Sequence, residues 1–199
     1  MFAWGRHLQI VFFFILSILI DYFGLIDSFL VKVKWEPERI ILEDGETVIL
    51  DWAVSSDALS HSGLNSSNFD TPIVLIHHGA MCDSKDIPGQ GWVEHAHKRG
   101  WIACCLNRTG HAKLLSKPNF NFFGSVEDVR YVTKHILKRR PNSRMLMIGI
   151  SSGSGLMGRF FGEEHNLFKA GVGVCPGYDI TNCMGRCTSP YTVCFINNS

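Results

Sequence analysis

The chain has 199 residues, with 19 Lys and Arg against 18 Asp and Glu, and 46% of its residues are hydrophobic. This length is enough for one domain and too short for two sizeable ones. A net charge of +1 provides no basic field to gather nucleic acid, and the apolar content excludes a disordered chain.

A strongly apolar segment lies near the N-terminus. Leu8–Ile26 contains 15 apolar residues out of 19 and follows Arg6 and His7. As a helix it would be about 28 Å long, close to the ~30 Å hydrocarbon core of a bilayer. We predict that residues 1–33 form a single-pass membrane anchor with its juxtamembrane segment, located in an endomembrane. A cleaved signal peptide and a buried N-terminal helix are the alternatives.

A hairpin is predicted to begin the globular part. Arg39–Glu43 and Thr47–Val54 are short β-type runs on either side of Asp44-Gly45, a turn dipeptide. After a polar connector, Ile73–His77 is continuously apolar, which is typical of a strand buried on both faces of a sheet.

Helices and strands then alternate along the chain. The predicted elements are a helix at Trp92–Arg99, a strand at Trp101–Leu106, a helix capped by Ser125 and running to about Arg140, a strand at Arg144–Ile150, a helix at Ser152–Glu164 and a strand at Ala170–Cys175. This order predicts an α/β fold with a mostly parallel sheet and helices on both faces, preceded by the antiparallel hairpin. Residues 176–199 show no helical pattern.

One motif suggests catalytic chemistry. Gly149-Ile150-Ser151-Ser152-Gly153 lies where a predicted buried strand meets a helix, as in a G-x-S-x-G nucleophile elbow. The nucleophile of such an elbow projects from a sharp turn in which larger neighbours would collide. Ser151 is therefore the predicted nucleophile, and the backbone N–H of Ser152 is a predicted oxyanion donor at the helix N-terminus. The alternative is a glycine-rich strand–helix connection without chemistry.

A second motif follows the strand Ile73–His77. In His78-Gly79-Ala80, the glycine allows the backbone to approach a substrate closely. The backbone N–H of Ala80 is the predicted second oxyanion donor, and His78 and Gly79 are predicted to form a substrate-facing loop. His77 and His78 are interpreted as histidines that orient this loop or are hydrogen-bonded, not as catalytic bases.

The seven cysteines predict neither a disulfide framework nor a metal centre. Their number is odd and their spacing irregular. Cys104, Cys105 and Cys175 lie in apolar runs and are expected to be small core residues. No His, Cys or Asp cluster has the spacing of metal ligands, so no metal or cofactor is predicted.

The ordered set of motifs resembles the membrane-anchored α/β-hydrolases related to the bacterial YheT esterases, the plant embryogenesis-associated proteins and the animal abhydrolase-domain lipases. The resemblance covers Lys34 to Asp179 and rests on Thr47–Trp52, His78-Gly79, Gly100-Trp101, Asn107–Gly110, Phe123–Asp128 and Gly149–Gly153. It implies an α/β-hydrolase fold and a serine esterase or lipase acting on acyl esters or glycerolipids, frequently tethered to a membrane.

The sequence departs from that group in two places. Met81-Cys82 stand where the oxyanion loop of the group usually carries another glycine. In addition, the catalytic order is Ser, acid, His, and the only histidine after Ser151 is His165, roughly 20 Å away by helical rise. Asp179 is a candidate acid, or else a loop residue. We therefore expect residues 34–199 to form a partial α/β-hydrolase domain that lacks its C-terminal strands and is incomplete or inactive in this form.

Two other functions remain open from the sequence. One is a non-catalytic, membrane-tethered protein that keeps the hydrolase scaffold. The other is a dinucleotide-binding domain, because Gly153, Gly155 and Gly158 match G-x-G-x-x-G and Asp179 lies at a suitable distance for a ribose contact. Against the second, several strands precede a fingerprint that normally opens the first βαβ unit.

Overall fold

The computed structural model describes residues 33–54, 70–113, 115, 116, 118, 120 and 123–176. The apolar segment Leu8–Ile26 and the candidate acid Asp179 lie outside them. The elements are β1 (Lys34–Ile41), β2 (Thr47–Val54), β3 (Ile73–His77), α1 (Ile87–His97), β4 (Ile102–Asn107), α2 (Val126–Arg139), β5 (Met145–Ile150), α3 (Ser152–Glu163) and β6 (Ala170–Val174). Across these residues, no helix combines the length and apolarity needed to cross a membrane.

The strands form one mixed sheet in the order β1-β2-β4-β3-β5-β6. β1 and β2 form the predicted antiparallel hairpin, β2 pairs antiparallel with β4, and β4, β3, β5 and β6 run parallel. His77 at the end of β3 is paired with Leu106 of β4 on one side and Gly149 of β5 on the other. The three loops that follow β3, β4 and β5 therefore all begin at the carboxyl ends of these parallel strands, on the same side of the sheet.

Helices cover both faces of the sheet, as the alternation predicted. On one face, Ile73 and Leu75 of β3 belong to a core cluster with apolar residues of α2 and α3. On the other face, Val74 and Ile76 belong to a cluster with Val93 and Ala96 of α1. The side chains alternate between the clusters because successive residues of a strand point to opposite faces.

The N-terminus of α2 confirms the predicted cap. The Ser125 hydroxyl accepts hydrogen bonds from the backbone N–H groups of Glu127 at 3.1 Å and Asp128 at 3.3 Å. These bonds satisfy two donors that have no partner inside the helix. The cap fixes the start of the helix that follows the Phe123-Gly124 turn.

Some boundaries differ from those predicted. β1 begins at Lys34 instead of Arg39, because pairing with β2 extends from Ile41↔Thr47 to Lys34↔Val54. Pro37 is tolerated within it, since an edge strand can leave the position without an N–H. α1 begins at Ile87 instead of Trp92, with a proline in its first turn, where proline is favoured.

The cysteine prediction is correct for two of three residues. Cys104 and Cys105 are buried in β4, on opposite faces of the sheet. The prediction was wrong for Cys175, which is exposed. It follows β6, an edge strand of the described sheet, so less of the protein covers it than covers β4.

Candidate active site

Ser151 occupies the turn between β5 and α3 in a conformation that L residues rarely adopt. Its backbone has φ 52° and ψ −115°, and the residue is exposed. Its N–H donates to the Val174 carbonyl at 2.8 Å, and its own carbonyl accepts from Ser154 N–H at 2.9 Å. These bonds to β6 and α3 hold the strained turn in place. The strand, strained serine and helix together form the geometry of a nucleophile elbow.

The two glycines of the motif are required by close backbone packing. A Cβ on Gly149 would lie 2.5 Å from the Gly153 carbonyl oxygen. A Cβ on Gly153 would lie 2.4 Å from the His77 carbonyl oxygen and 2.8 Å from that of His78. The steric reason expected from the sequence is therefore present, since any side chain at either position would push α3 away from β3 and β5.

The loop that follows β3 lies directly against Ser151. We call residues 78–86 the oxyanion loop. A Cβ on Gly79 would be in ordinary contact, 3.6 Å, with the Cβ of Ser151. Ser152 is the first residue of α3, and the N–H groups of a helix's first turn have no intrahelical acceptor. The fold thus brings His78, Gly79, Ala80, Ser151 and Ser152 to one place, as predicted, while the role of each residue in catalysis stays a prediction.

Met81, which stands where the resembling group usually carries a glycine, has an unusual backbone conformation. Met81 has φ 56° and is 74% exposed. Positive φ of this kind is the conformation that glycine adopts without steric cost. The backbone at this position therefore has the shape expected for the glycine of the resembling group, although a methionine occupies it.

A buried polar network fixes the far end of the oxyanion loop. The Asp51 carboxylate accepts from the Ser84 hydroxyl at 2.5 Å and from the Asn107 side-chain amide at 2.7 Å, and the Asn107 side-chain oxygen accepts from Ser84 N–H at 2.9 Å. All three residues are buried. The network ties the loop to β2 and β4. The one sign of this network in the sequence is the lone acid within the apolar strand Thr47–Val54, which does not by itself reveal the partners.

His78 is hydrogen-bonded within the loop, one of the two roles expected for it. Its Nδ1 lies 2.8 Å from the Gly79 carbonyl oxygen, which can only accept, so Nδ1 carries the proton. Its ring packs against His111 with centroids 4.8 Å apart. Burial, followed by the charge of Arg108, lowers the pKa of His78 to about 2. The imidazole is therefore neutral at physiological pH and fixed by its neighbours.

Arg108 contacts both the oxyanion loop and the first residue of α3. Its side chain is buried, with Nη1 donating to the His78 carbonyl at 3.1 Å and Nη2 donating to the Gly79 carbonyl at 2.9 Å. Nη2 also lies 3.3 Å from the Ser152 hydroxyl oxygen. In the sequence Arg108 stands out only as part of the Asn107–Gly110 motif, because nothing there indicates that this arginine is buried.

The histidines of the described residues lie away from the Ser151 hydroxyl or bond to other groups. His165 follows the C-terminal end of α3, whereas Ser151 precedes its N-terminal end, so the helix separates them as expected. His135 of α2 instead lies 2.8 Å from the Glu38 carboxylate of β1. Among the histidines in the described ranges, none forms a hydrogen bond with the Ser151 hydroxyl. Within those same ranges, no group of three or more His, Cys, Asp or Glu residues is arranged to hold a metal ion.

The dinucleotide alternative gains no support from the geometry. A phosphate-binding fingerprint places its glycines in the turn before the helix, where backbone N–H groups face the pyrophosphate. Here Gly153, Gly155 and Gly158 all lie inside α3, which begins at Ser152. Moreover, Gly153 is packed against the His77 and His78 carbonyls and leaves no space for a ligand.

Three curated relatives resemble the chain in sequence, although no protein-family model matches it. The embryogenesis-associated protein EMB8 of Picea glauca is 29% identical over 66% of this chain and 29% of its own length. A monoacylglycerol lipase of Saccharomyces cerevisiae is 29% identical over 56% of the chain and 26% of its own length. Abhydrolase domain-containing protein 2 of Drosophila melanogaster is 23% identical over 75% of the chain and 37% of its own length. The matched part of the chain thus spans between 26% and 37% of the length of these relatives.

Solved structures of hydrolases share the fold. An esterase from Pyrococcus furiosus superposes with a TM-score of 0.60 over 81% of this chain and 60% of its own, at 18% identity. Est1E from Butyrivibrio proteoclasticus, solved with ferulic acid bound, superposes with a TM-score of 0.61 over 74% of this chain and 55% of its own, at 17% identity. At these identities the likeness concerns the fold alone.

Proposed function

Because the chain has the α/β-hydrolase fold and its sequence relatives include a lipase and an abhydrolase-domain protein, we propose that it is a serine carboxylic-ester hydrolase of that group. Ser151 is the proposed nucleophile. The backbone N–H groups of Ala80 and Ser152 are the proposed oxyanion donors. His78 and Gly79 form the loop that faces the substrate.

The conformation of Ser151 carries this proposal. A serine at φ 52° costs stability compared with an ordinary turn, and two glycines that tolerate no Cβ surround it. A glycine-rich connection without chemistry has no need of a strained serine at its apex. The exposed position of Ser151, beside Gly79 of the oxyanion loop, is suited to attack on a bound acyl group.

The proposed reaction follows from this arrangement. The Ser151 hydroxyl attacks the acyl carbon while a base accepts its proton, and the carbonyl oxygen gains negative charge. The N–H groups of Ala80 and Ser152 would stabilise that charge. The alcohol then leaves with a proton, and water releases the acid from the acyl-enzyme. No metal or cofactor is required for these steps.

We propose that the general base lies outside the described residues, and Asp179 stays a candidate acid. The 199-residue sequence contains no histidine after His165. We therefore propose that residues 34–199 are a partial domain, and we expect this chain alone to turn esters over slowly because an unassisted serine hydroxyl is a weak nucleophile. A scaffold that binds without catalysis is the alternative that this same feature favours.

An acyl ester or glycerolipid is the proposed substrate, and a membrane is the proposed partner. One relative is named a monoacylglycerol lipase, which supports a lipid ester. A single-pass anchor at Leu8–Ile26, in an endomembrane, would hold the site beside its substrate. Neither nucleic acid nor a nucleotide cofactor is part of the proposal.

A fluorophosphonate probe, which reacts with activated serines, tests the proposal. The full 199-residue chain in detergent, and any longer product of the same gene, would be labelled as wild type, Ser151→Ala and Ser125→Asp. Ser125→Asp is a matched control because aspartate also caps helices and Ser125 is remote in sequence from the elbow. We expect labelling that Ser151→Ala abolishes and Ser125→Asp retains. Labelling only of a longer product would support a partial domain, whereas none in either form would support a non-catalytic scaffold.

A further inference from the structure

We propose that Arg108 is a positioning residue that fixes both oxyanion donors, an inference that rests on the proposed function of Ser151. Arg108 directly follows β4, outside the G-x-S-x-G turn and outside the oxyanion loop. Its guanidinium nevertheless contacts the backbone of the loop and the first residue of α3. It is therefore the side chain that bridges the two segments from which the proposed donors come.

The burial of Arg108 is unusual because no carboxylate compensates for its charge. Only 1% of the residue is exposed, and none of the described Asp or Glu residues forms an ion pair with it. Burial lowers the pKa of Arg108 to about 10, which still leaves the guanidinium protonated at neutral pH. A buried charge without a counterion is costly. Its partners are instead backbone carbonyls, which belong to the loop that the proposed reaction uses.

The bond to Gly79 sets the direction of the first donor. The Gly79 carbonyl and the Ala80 N–H belong to one peptide unit, and the described chain contains no cis peptide bond. In a planar trans peptide, the C=O and N–H bonds point in opposite directions. Because Arg108 Nη2 holds the Gly79 oxygen at 2.9 Å, the Ala80 N–H must point away from Arg108. His78 Nδ1–H also donates to this carbonyl, at 2.8 Å, so loss of the guanidinium would leave one of the two bonds and allow the peptide a wider range of orientations.

The second contact of Nη2 reaches the side chain of the residue whose backbone supplies the other donor. The Ser152 hydroxyl lies 3.3 Å from Nη2, so the same nitrogen contacts residues 79 and 152. One rigid, planar group thus contacts both residues 79 and 152, which lie beside the two proposed donors. The uncompensated positive charge also favours the negative charge that develops on the substrate oxygen in the transition state.

Neighbouring residues keep the Arg108 side chain in place. Gly124 has φ +78°, and a Cβ there would lie 2.6 Å from Arg108 Cδ. Arg159 of α3 donates to the Phe123 and Gly124 carbonyls, each at 2.9 Å, and so holds this turn against the Arg108 stem. The position of the guanidinium is consequently set by packing of the Phe123-Gly124 turn on the side-chain stem, as well as by its own hydrogen bonds.

Two substitutions separate positioning from charge and from folding. Arg108→Lys keeps the charge but cannot hold two carbonyls in a planar fork, and Arg108→Met keeps only the stem. Thermal unfolding of the full chain reports whether each variant folds. Hydrogen exchange of peptides covering residues 78–86 reports the order of the loop without any need for a reactive Ser151. The rate of fluorophosphonate labelling reports the oxyanion hole, in whichever form of the protein is labelled.

We expect faster exchange in residues 78–86 of both variants, with exchange in β5 unchanged. We also expect labelling to slow by about 10²-fold in Arg108→Met, the loss typical of one oxyanion donor, and by less in Arg108→Lys. Loop exchange and labelling rates equal to wild type in folded Arg108→Lys would overturn the inference, even if Arg108→Met did not fold. Faster loop exchange together with no labelling of any wild-type form, the longer product included, would support the positioning of the loop and contradict the proposed function alone.

Discussion

Gly153 in the first turn of α3 packs so closely against β3 that a Cβ on it would lie 2.4 Å from the His77 carbonyl oxygen. Gly155, two residues later in the same helix, has no heavy atom within 4 Å of its corresponding position. Both glycines lie in the same helix, but only Gly153 is required by packing. Comparing substitutions at the two positions therefore distinguishes the effect of close packing from the low helix propensity of glycine.

Gly153→Ala is expected to destabilise the protein, because the backbone atoms it meets cannot move independently of β3. The expected loss is about 2 kcal/mol of unfolding free energy, the scale of overpacking. Gly155→Ala should instead raise stability by about 0.5–1 kcal/mol, since alanine favours the helix. Urea unfolding of both variants measures the difference. Equal effects would contradict the close approach of α3 to β3.

The strain at Ser151 predicts an unusual order of stabilities. Ser151→Gly should be more stable than Ser151→Ala by about 1 kcal/mol, because only glycine adopts φ 52° without a Cβ penalty. Both variants lose the hydroxyl, so the comparison isolates the backbone. Urea unfolding again provides the measurement, and an alanine variant as stable as the glycine variant would show that the turn stores no strain.

Met81 allows the same reasoning in the oxyanion loop. Met81→Gly is expected to stabilise the protein by up to about 1 kcal/mol, since φ 56° is costly for methionine. Met81→Ala is the matched control, because it removes the same exposed side chain but keeps the Cβ. Thermal unfolding of the two variants should separate them, and a gain as large in Met81→Ala would attribute the effect to the side chain instead of the backbone.

Buried His77 predicts a loss of stability in acid. Desolvation, and then the charge of Arg108, lowers the pKa of His77 to about 3, and neither ring nitrogen has a hydrogen-bond partner among the described residues. The unfolded chain takes up a proton near pH 6.5 and the folded protein does not, so stability falls as pH falls from about 6.5 towards 3. The slope contributed is at most about 1.4 kcal/mol per pH unit.

His77→Leu tests that assignment. The substitution removes two buried polar atoms without partners, so it should leave stability at pH 7 equal or higher. It should also reduce the dependence of unfolding free energy on pH between 6.5 and 4.5. Urea titrations at these pH values provide the comparison. An unchanged slope would mean that His77 does not contribute to the acid sensitivity.

Much of this site could be predicted from local sequence because its constraints are local. Gly149 and Gly153 flank a serine at a strand–helix junction, and Ser125 caps a helix, so neighbouring residues carry the signal. Arg108 could not be predicted, because its partners lie about 30 and 44 residues away and its burial depends on how the turn at Gly124 packs. The start of α1 was missed for a simpler reason: Gly89 and Gly91 suggest a loop, but packing of Val93 and Ala96 on the sheet stabilises the helix.

The central claim is that Ser151 is the nucleophile of an ester hydrolase. Its most direct test is to treat the protein with a fluorophosphonate and to locate the adduct by tandem mass spectrometry of the peptide that contains the Gly149–Gly153 turn. We predict a single adduct on Ser151 that is absent in Ser151→Ala. A modified residue elsewhere, or a protein that stays unmodified in every form that contains this turn, would contradict the account.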